Sequence, residues 1–140
     1  MLDFSKLKFD VIDLNVNANP DLFVNQNCIT FSRRCLEDLS YPQYVQYCVD
    51  CEHKVFAVRP CKGNETKAVQ FSKPKAEQTG KLTTNSRNLH DIVAALINDY
   101  DAKSRYRITG QYDAENRIMY FDMADAEVSM FHKQKESLQA

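Results

Sequence analysis

The sequence predicts an α+β fold of small antiparallel sheets built from two helix–hairpin (β-α-β-β) units, residues 28–61 and 84–123, joined by a basic loop over 62–83. Three observations carry this reading. From Cys28 to Cys61 there is an extended triplet, a serine-led helical stretch, and two alternating runs of β-branched and aromatic residues about a tight polar turn. That is the pattern of a strand, a helix and a β-hairpin. Residues 88–100 place Leu89, Ile92, Val93, Leu96, Ile97 and Tyr100 at i, i+3, i+4, i+7, i+8 and i+11, one apolar helix face. Finally, Thr30-Phe31-Ser32-Arg33 lies over Thr84-Asn85-Ser86-Arg87 at a shift of 54 residues. Each unit then reads extended segment, Ser-Arg, helix, hairpin, the order an internal duplication would leave.

Taken in order, residues 8–16 alternate loosely, with Phe9, Val11, Ile12, Leu14 and Val16 among aspartates, which predicts an N-terminal strand. Asn17 to Asp21 is turn chemistry, since Asn and Asp tolerate left-handed backbone and Pro20 offers no ladder donor. Short strands are expected at Leu22–Val24 and Ile29–Phe31. The Ser32 hydroxyl is suited to satisfy an orphan amide at the start of a helix. Cys35, Leu36 and Leu39 give that helix its apolar stripe, and Pro42 ends it by disfavouring helical backbone at Tyr41. Tyr44–Asp50 and Lys54–Pro60 form the hairpin about Cys51-Glu52-His53. Ala68–Phe71 reads as one more strand and 72–84 as an exposed loop. After the helix over 88–100, Arg105–Tyr112 and Arg117–Met123 form a second hairpin about Asp113-Ala114-Glu115-Asn116. Beyond Ala124 the pattern fits either a strand through Val128 or a helix with Val128, Phe131 and Leu138 on one side.

With 140 residues, 44% of them hydrophobic, the chain can bury a core without disulfides or metal, and 1–140 reads as a single domain. The N-terminal stretch MLDFSKLKFDVIDL carries aspartates and no long apolar run, unlike a secretory signal. No stretch approaches the length of a membrane span, so a soluble cytoplasmic protein without membrane contact is expected. Cys28, Cys35, Cys48, Cys51 and Cys61 are then expected as reduced thiols. Cys48, Cys51, His53 and Cys61 have the softness zinc prefers. With the turn at Cys51-Glu52, however, Cys48 would face Val55 and Cys61 would lie about 20 Å away at roughly 3.3 Å per residue. Neither metal nor cofactor is expected.

Charge is uneven along the chain. Residues 59–87 carry 7 basic against 2 acidic residues, whereas 1–58 carry 5 against 8 and 88–140 carry 6 against 9. Such asymmetry marks either a solvated loop or an anionic partner. Arg33, Arg34 and Arg87 follow the two helix starts, where a cation is unfavourable by about 0.3–1 kcal/mol. With Ser32 and Ser86 they could converge on a phosphate or carboxylate, or they could pair with Glu37 and Asp38 one turn on. Arg59, Lys62, Lys73, Lys75 and Lys81 are the other candidate anion-binding residues. His53, His90 and His132 have no nucleophile at a recognisable spacing and the 3 glycines are scattered, so no catalytic residue is expected. Tyr41, Tyr44, Tyr47, Tyr106, Tyr112 and Tyr120 lie on or near strands, as half-buried sheet residues or as stacking platforms for bases.

Ile29-Thr30-Phe31-Ser32-Arg33, Leu36 and Leu39, Pro42, Val45 and Val58-Arg59-Pro60 together resemble the AbrB/MazE family of swapped-hairpin DNA-binding domains over about a quarter of the chain. The whole is also similar in character to small proteins of bacterial phages and mobile elements. The resemblance implies a DNA-binding or regulatory module, with a homodimer or protein partner; the tyrosines among basic residues extend the expected ligand to single-stranded nucleic acid, and the missing catalytic motifs make the expected role non-enzymatic. The alternative is an interaction or structural subunit without a nucleic-acid site.

Overall fold

The computed structural model describes residues 3–9, 11 and 19–129. Most of the strand expected over 8–16 lies outside the described residues, and Lys8, Phe9 and Val11 are not in a strand. Among the described residues ten strands and two α-helices follow the short 3-10 turn Phe4–Lys6: β1 Asp21–Val24, β2 Ile29–Phe31, α1 Arg33–Asp38, β3 Tyr44–Asp50, β4 Val55–Cys61, β5 Val69–Gln70, β6 Leu82–Thr84, α2 Arg87–Ala94, β7 Tyr106–Thr109, β8 Gln111–Asp113, β9 Ile118–Asp122 and β10 Glu127–Val128. The fold is α+β and mostly β. All strand pairs are antiparallel and make two five-stranded sheets, sheet A in the order β10-β7-β1-β2-β6 and sheet B in the order β5-β3-β4-β9-β8.

The two sheets share one core because alternate residues of each strand face the other sheet. Leu22, Val24, Ile29, Phe31, Tyr106 and Ile108 point inward from sheet A; Val45, Phe56, Val58, Met119 and Phe121 meet them from sheet B. Phe31 sits at the junction, its ring centroid 6.4 Å from Tyr47, 6.4 Å from Phe56, 5.2 Å from Phe71 and 6.3 Å from Phe121. Cys35, Leu36 and Leu39 bury the stripe of α1 in this core, and α2 adds Val93 and Ala94.

The structure differs from the sequence reading in four places. Hairpin β3–β4 forms, but Cys48 faces Ala57 and Asp50 faces Val55, a register two residues from the one expected. Cys61 consequently lies opposite Tyr44, four residues along β3 from Cys48, or about 13 Å at roughly 3.3 Å per residue. The 72–84 segment is not simply a solvated loop. Ser72 is buried with its hydroxyl donating to the Pro42 carbonyl at 2.7 Å, and Leu82–Thr84 pairs with β2. Helix α2 ends at Ala94 rather than near 100, and the chain continues in tighter turns through Leu96 and Ile97 to Asp99, whose φ is +55°. Ile92 is left 51% exposed, while His90 takes a buried place.

The fourth difference concerns the second unit. Residues 105–123 do not form one hairpin, because the strand breaks at Gly110 and changes sheets: β7 pairs with β1 and β10, and β8 turns back onto β9. The Gly110 amide donates to the Pro20 carbonyl at 2.7 Å, and a Cβ there would stand 2.5 Å from the Phe121 ring. Only a residue without a side chain lets the chain cross this close to the core. The order strand, Ser-Arg, helix therefore occurs twice, but the hairpin follows directly only in the first case. Among the described residues no helix is long and apolar enough to cross a membrane.

Leu96→Ala is expected to cost about 2–5 kcal/mol in urea unfolding, as a cavity in a packed core, while Ile92→Ala stays within about 0.5 kcal/mol. Equal losses at the two positions would contradict the burial pattern. Gly110→Ala should destabilise by about 1–3 kcal/mol through overpacking against Phe121.

Candidate anion-binding face

The residues singled out in the sequence are distributed over the surface rather than gathered. The Ser32 hydroxyl does not cap α1, because it accepts from the Asp21 amide at 2.9 Å and donates to the Asn19 carbonyl at 2.9 Å, tying the helix start to β1. Arg33 and Arg34 pair with Glu37 at 3.1 Å and Asp38 at 2.8 Å, one turn on. Ser86 does cap its helix, accepting from the Leu89 amide at 3.3 Å, and Arg87 lies 4.0 Å from Asp91. Antiparallel pairing sets Phe31 opposite Leu82 and Ile29 opposite Thr84, so α1 and α2 leave from opposite ends of the β2–β6 pair. The two arginine-bearing starts do not converge. Arg59 is held by Gln46 Oε1 at 2.6 and 3.2 Å beside a cleft of about 720 Å³ that also takes in Lys62 and Arg117. Lys75 lines a shallow cleft with Tyr41 and Glu37, and the Lys73 amide donates to Gln78 Oε1 at 3.0 Å. Lys81 lies apart from all of these.

Lys81 belongs to a pocket of about 410 Å³ on the outer face of sheet A, together with Asn25, Gln26, Cys28, Thr30, Thr83, Lys103, Ser104 and Arg105. Strand alternation builds this face. With Leu22 and Val24 inward, Phe23 faces out; with Ile29 and Phe31 inward, so does Thr30; and Tyr106 and Ile108 turn Arg105 and Arg107 outward. Asn25 organises the pocket. Its Oδ1 accepts from Arg105 Nε at 2.9 Å, and its Nδ2 donates to Thr30 Oγ1 at 3.0 Å and to Cys28 Sγ at 3.4 Å. Its backbone carbonyl meets His90 Nε2 at 2.8 Å, which links the pocket to α2. Thr30 and Thr83 hydroxyls lie 3.0 Å apart across β2 and β6.

Arg105 is fixed on two sides. Asn25 holds its Nε, and its guanidinium carbon lies 4.3 Å from the centre of the Phe23 ring, a cation–π geometry. Burial lowers its pKa, with the Cys28 sulfur acting in the opposite sense. Among the described residues no carboxylate pairs with it, and no carboxylate lines its pocket. A half-desolvated cation without a counter-ion is unfavourable until an anion arrives. The opposite end of the face is different: Arg107 meets Glu127 at 3.3 Å, and Asp21, 1% exposed, accepts from the Thr109 hydroxyl at 2.7 Å. Burial pushes the Asp21 carboxyl up, against the lowering effects of Thr109 and Arg107.

Phe23, Asn25, Thr30, Thr83, Lys103 and Arg105 escape a sequence reading that searched for helix starts and a basic loop. The available signal was the spacing of Arg105 and Arg107, two apart on a strand and so on one face. No group of three metal-binding side chains converges among the described residues.

Asp21→Asn keeps an acceptor for Thr109 and removes the ionisation. Since the folded state holds the Asp21 proton above the ordinary 3.8, the ionised carboxylate is a penalty that is absent in more acid solution and develops as pH rises through the raised pKa. Urea melts at a series of pH values should show the variant gaining on wild type from acid towards neutral; a pH-independent difference would show that Asp21 titrates normally. Comparison with protein-family models, with curated proteins and with solved structures finds no match.

Proposed function

We propose that the protein is a non-enzymatic nucleic-acid-binding module that takes single-stranded nucleic acid across the outer face of sheet A. The observation that carries the reading is Arg105, held over the Phe23 ring by Asn25 in a cationic pocket that no carboxylate lines among the described residues. Arginine planes and aromatic rings on a sheet stack bases, and neighbouring lysines neutralise the backbone. Lys81 and Lys103 are the neighbours here, and the Thr30–Thr83 hydroxyl pair keeps one proton for a phosphate oxygen. The likeness of residues 28–60 to AbrB/MazE-type domains favours the same class of ligand, with a regulatory role, and the helix-start argument offers Arg33 and Arg34 as the alternative contacts.

Fluorescence anisotropy with a labelled single strand, at several salt concentrations, tests both placements. Wild type should bind at low salt, with log K falling against log salt by about 0.7 per neutralised phosphate. Arg105→Ala should weaken binding and flatten the slope by about one, while Arg33→Ala combined with Arg34→Ala leaves both unchanged. The opposite result would move the site to the start of α1. If neither single strand nor duplex binds at low salt, the nucleic-acid reading fails and an interaction module for an acidic protein partner replaces it.

A further inference from the structure

We propose that the pocket on sheet A holds a terminal phosphomonoester, so that the protein grips a strand by its phosphorylated end. This rests on the nucleic-acid reading and specifies which part of the strand the pocket takes. A bridging phosphodiester brings one charge and two non-ester oxygens; a terminal phosphate brings about −1.5 to −2 charges near neutral pH and three acceptor oxygens. The pocket matches the second. Lys103 and Arg105 reach it from the turn before β7 and Lys81 from the start of β6, and among the described residues no carboxylate lines it, Asp101 standing behind the turn. A single diester charge would leave most of the charge of these cations unbalanced.

The walls are fixed before any ligand binds. Asp101 organises the turn that carries two of the lining residues, accepting from the Lys103 amide at 3.0 Å and the Ser104 hydroxyl at 3.2 Å. Asn25 sets Arg105 from the other side. A groove that tracks a backbone spreads its cations along the path. Here Lys103 and Arg105, at the start of β7, and Lys81, across the sheet at β6, line a single pocket, while Arg107 is paired with Glu127 and stands beside Asp21. This distribution anchors an end better than it follows a chain.

One short labelled oligonucleotide is prepared with a 5′-phosphate, with a 3′-phosphate and with neither, and binding is measured by anisotropy on the intact protein. One phosphorylated form should bind about tenfold tighter than the unphosphorylated one, a factor in the range of charge-assisted hydrogen bonding, and its identity names the end. Lys81→Gln with Lys103→Gln should abolish that preference, whereas Arg107→Ala should weaken all three forms by one factor, with circular dichroism confirming that both variants fold. If the three forms bind wild type equally, the end-gripping inference fails and the nucleic-acid reading stands. If none binds, both fail. Competition by a nucleoside monophosphate but not by inorganic phosphate at the same concentration is expected; equal competition would reduce the pocket to a plain phosphate site and overturn the assignment to a strand end.

Discussion

Packing of Phe31 between the sheets is the constraint on which the remaining geometry depends. Its ring lies among Tyr47, Phe56, Phe71 and Phe121, and its strand is flanked by β1 and β6 through the pairs Phe31–Leu22 and Phe31–Leu82. Side chains alternate along a strand, so a one-residue slip would exchange the two faces of the sheet. Fixing Phe31 inward fixes Thr30 outward, and the same register brings Phe23 and Thr83 to either side of Thr30. The outer face is thus set by contacts made on the inner one.

Local patterns were legible where a single element determined them. The alternation of Tyr44–Asp50 and Lys54–Pro60 gave the hairpin, and the stripe from Leu89 to Tyr100 gave the burial of Val93 in α2 and of Leu96 and Ile97 in the turns after it. What the sequence could not reveal was partnership. Nothing in Arg105–Tyr112 says that its first half pairs with residues near 22 and its second half with residues near 119; that follows from Gly110 passing against Phe121. The candidate site suffered for the same reason. Thr30 and Thr83 sit in the middle of β2 and β6, Asn25 just after β1 and Arg105 just before β7, and no spacing along the chain brings the four together. Arg33 and Arg34 drew attention by standing at a helix start, but each has its own carboxylate one turn on, a common and weak arrangement of exposed charges.

Arg105 illustrates how burial distinguishes cations that composition treats alike. Seven basic residues between 59 and 87 dominate the charge profile, yet all seven are exposed, where water screens them. Arg105 belongs to a segment that is acidic overall, and burial disfavours its charged form. Charge density along a chain identifies solvated loops as readily as sites; desolvation without a partner is the more discriminating sign.

The bond from Arg105 to Asn25 joins residues 80 positions apart, and β1 pairs with β7 across a comparable stretch. Closing so long a loop carries an entropic penalty before any contact compensates it, and such topologies fold slowly. During synthesis β3 and β4 can meet as soon as both have emerged, whereas β1 must wait for most of the chain before its second neighbour exists. Until then its outward edge is unpaired and open to association with other strands. The outer face of sheet A is therefore assembled late, only once nearly the whole chain has emerged.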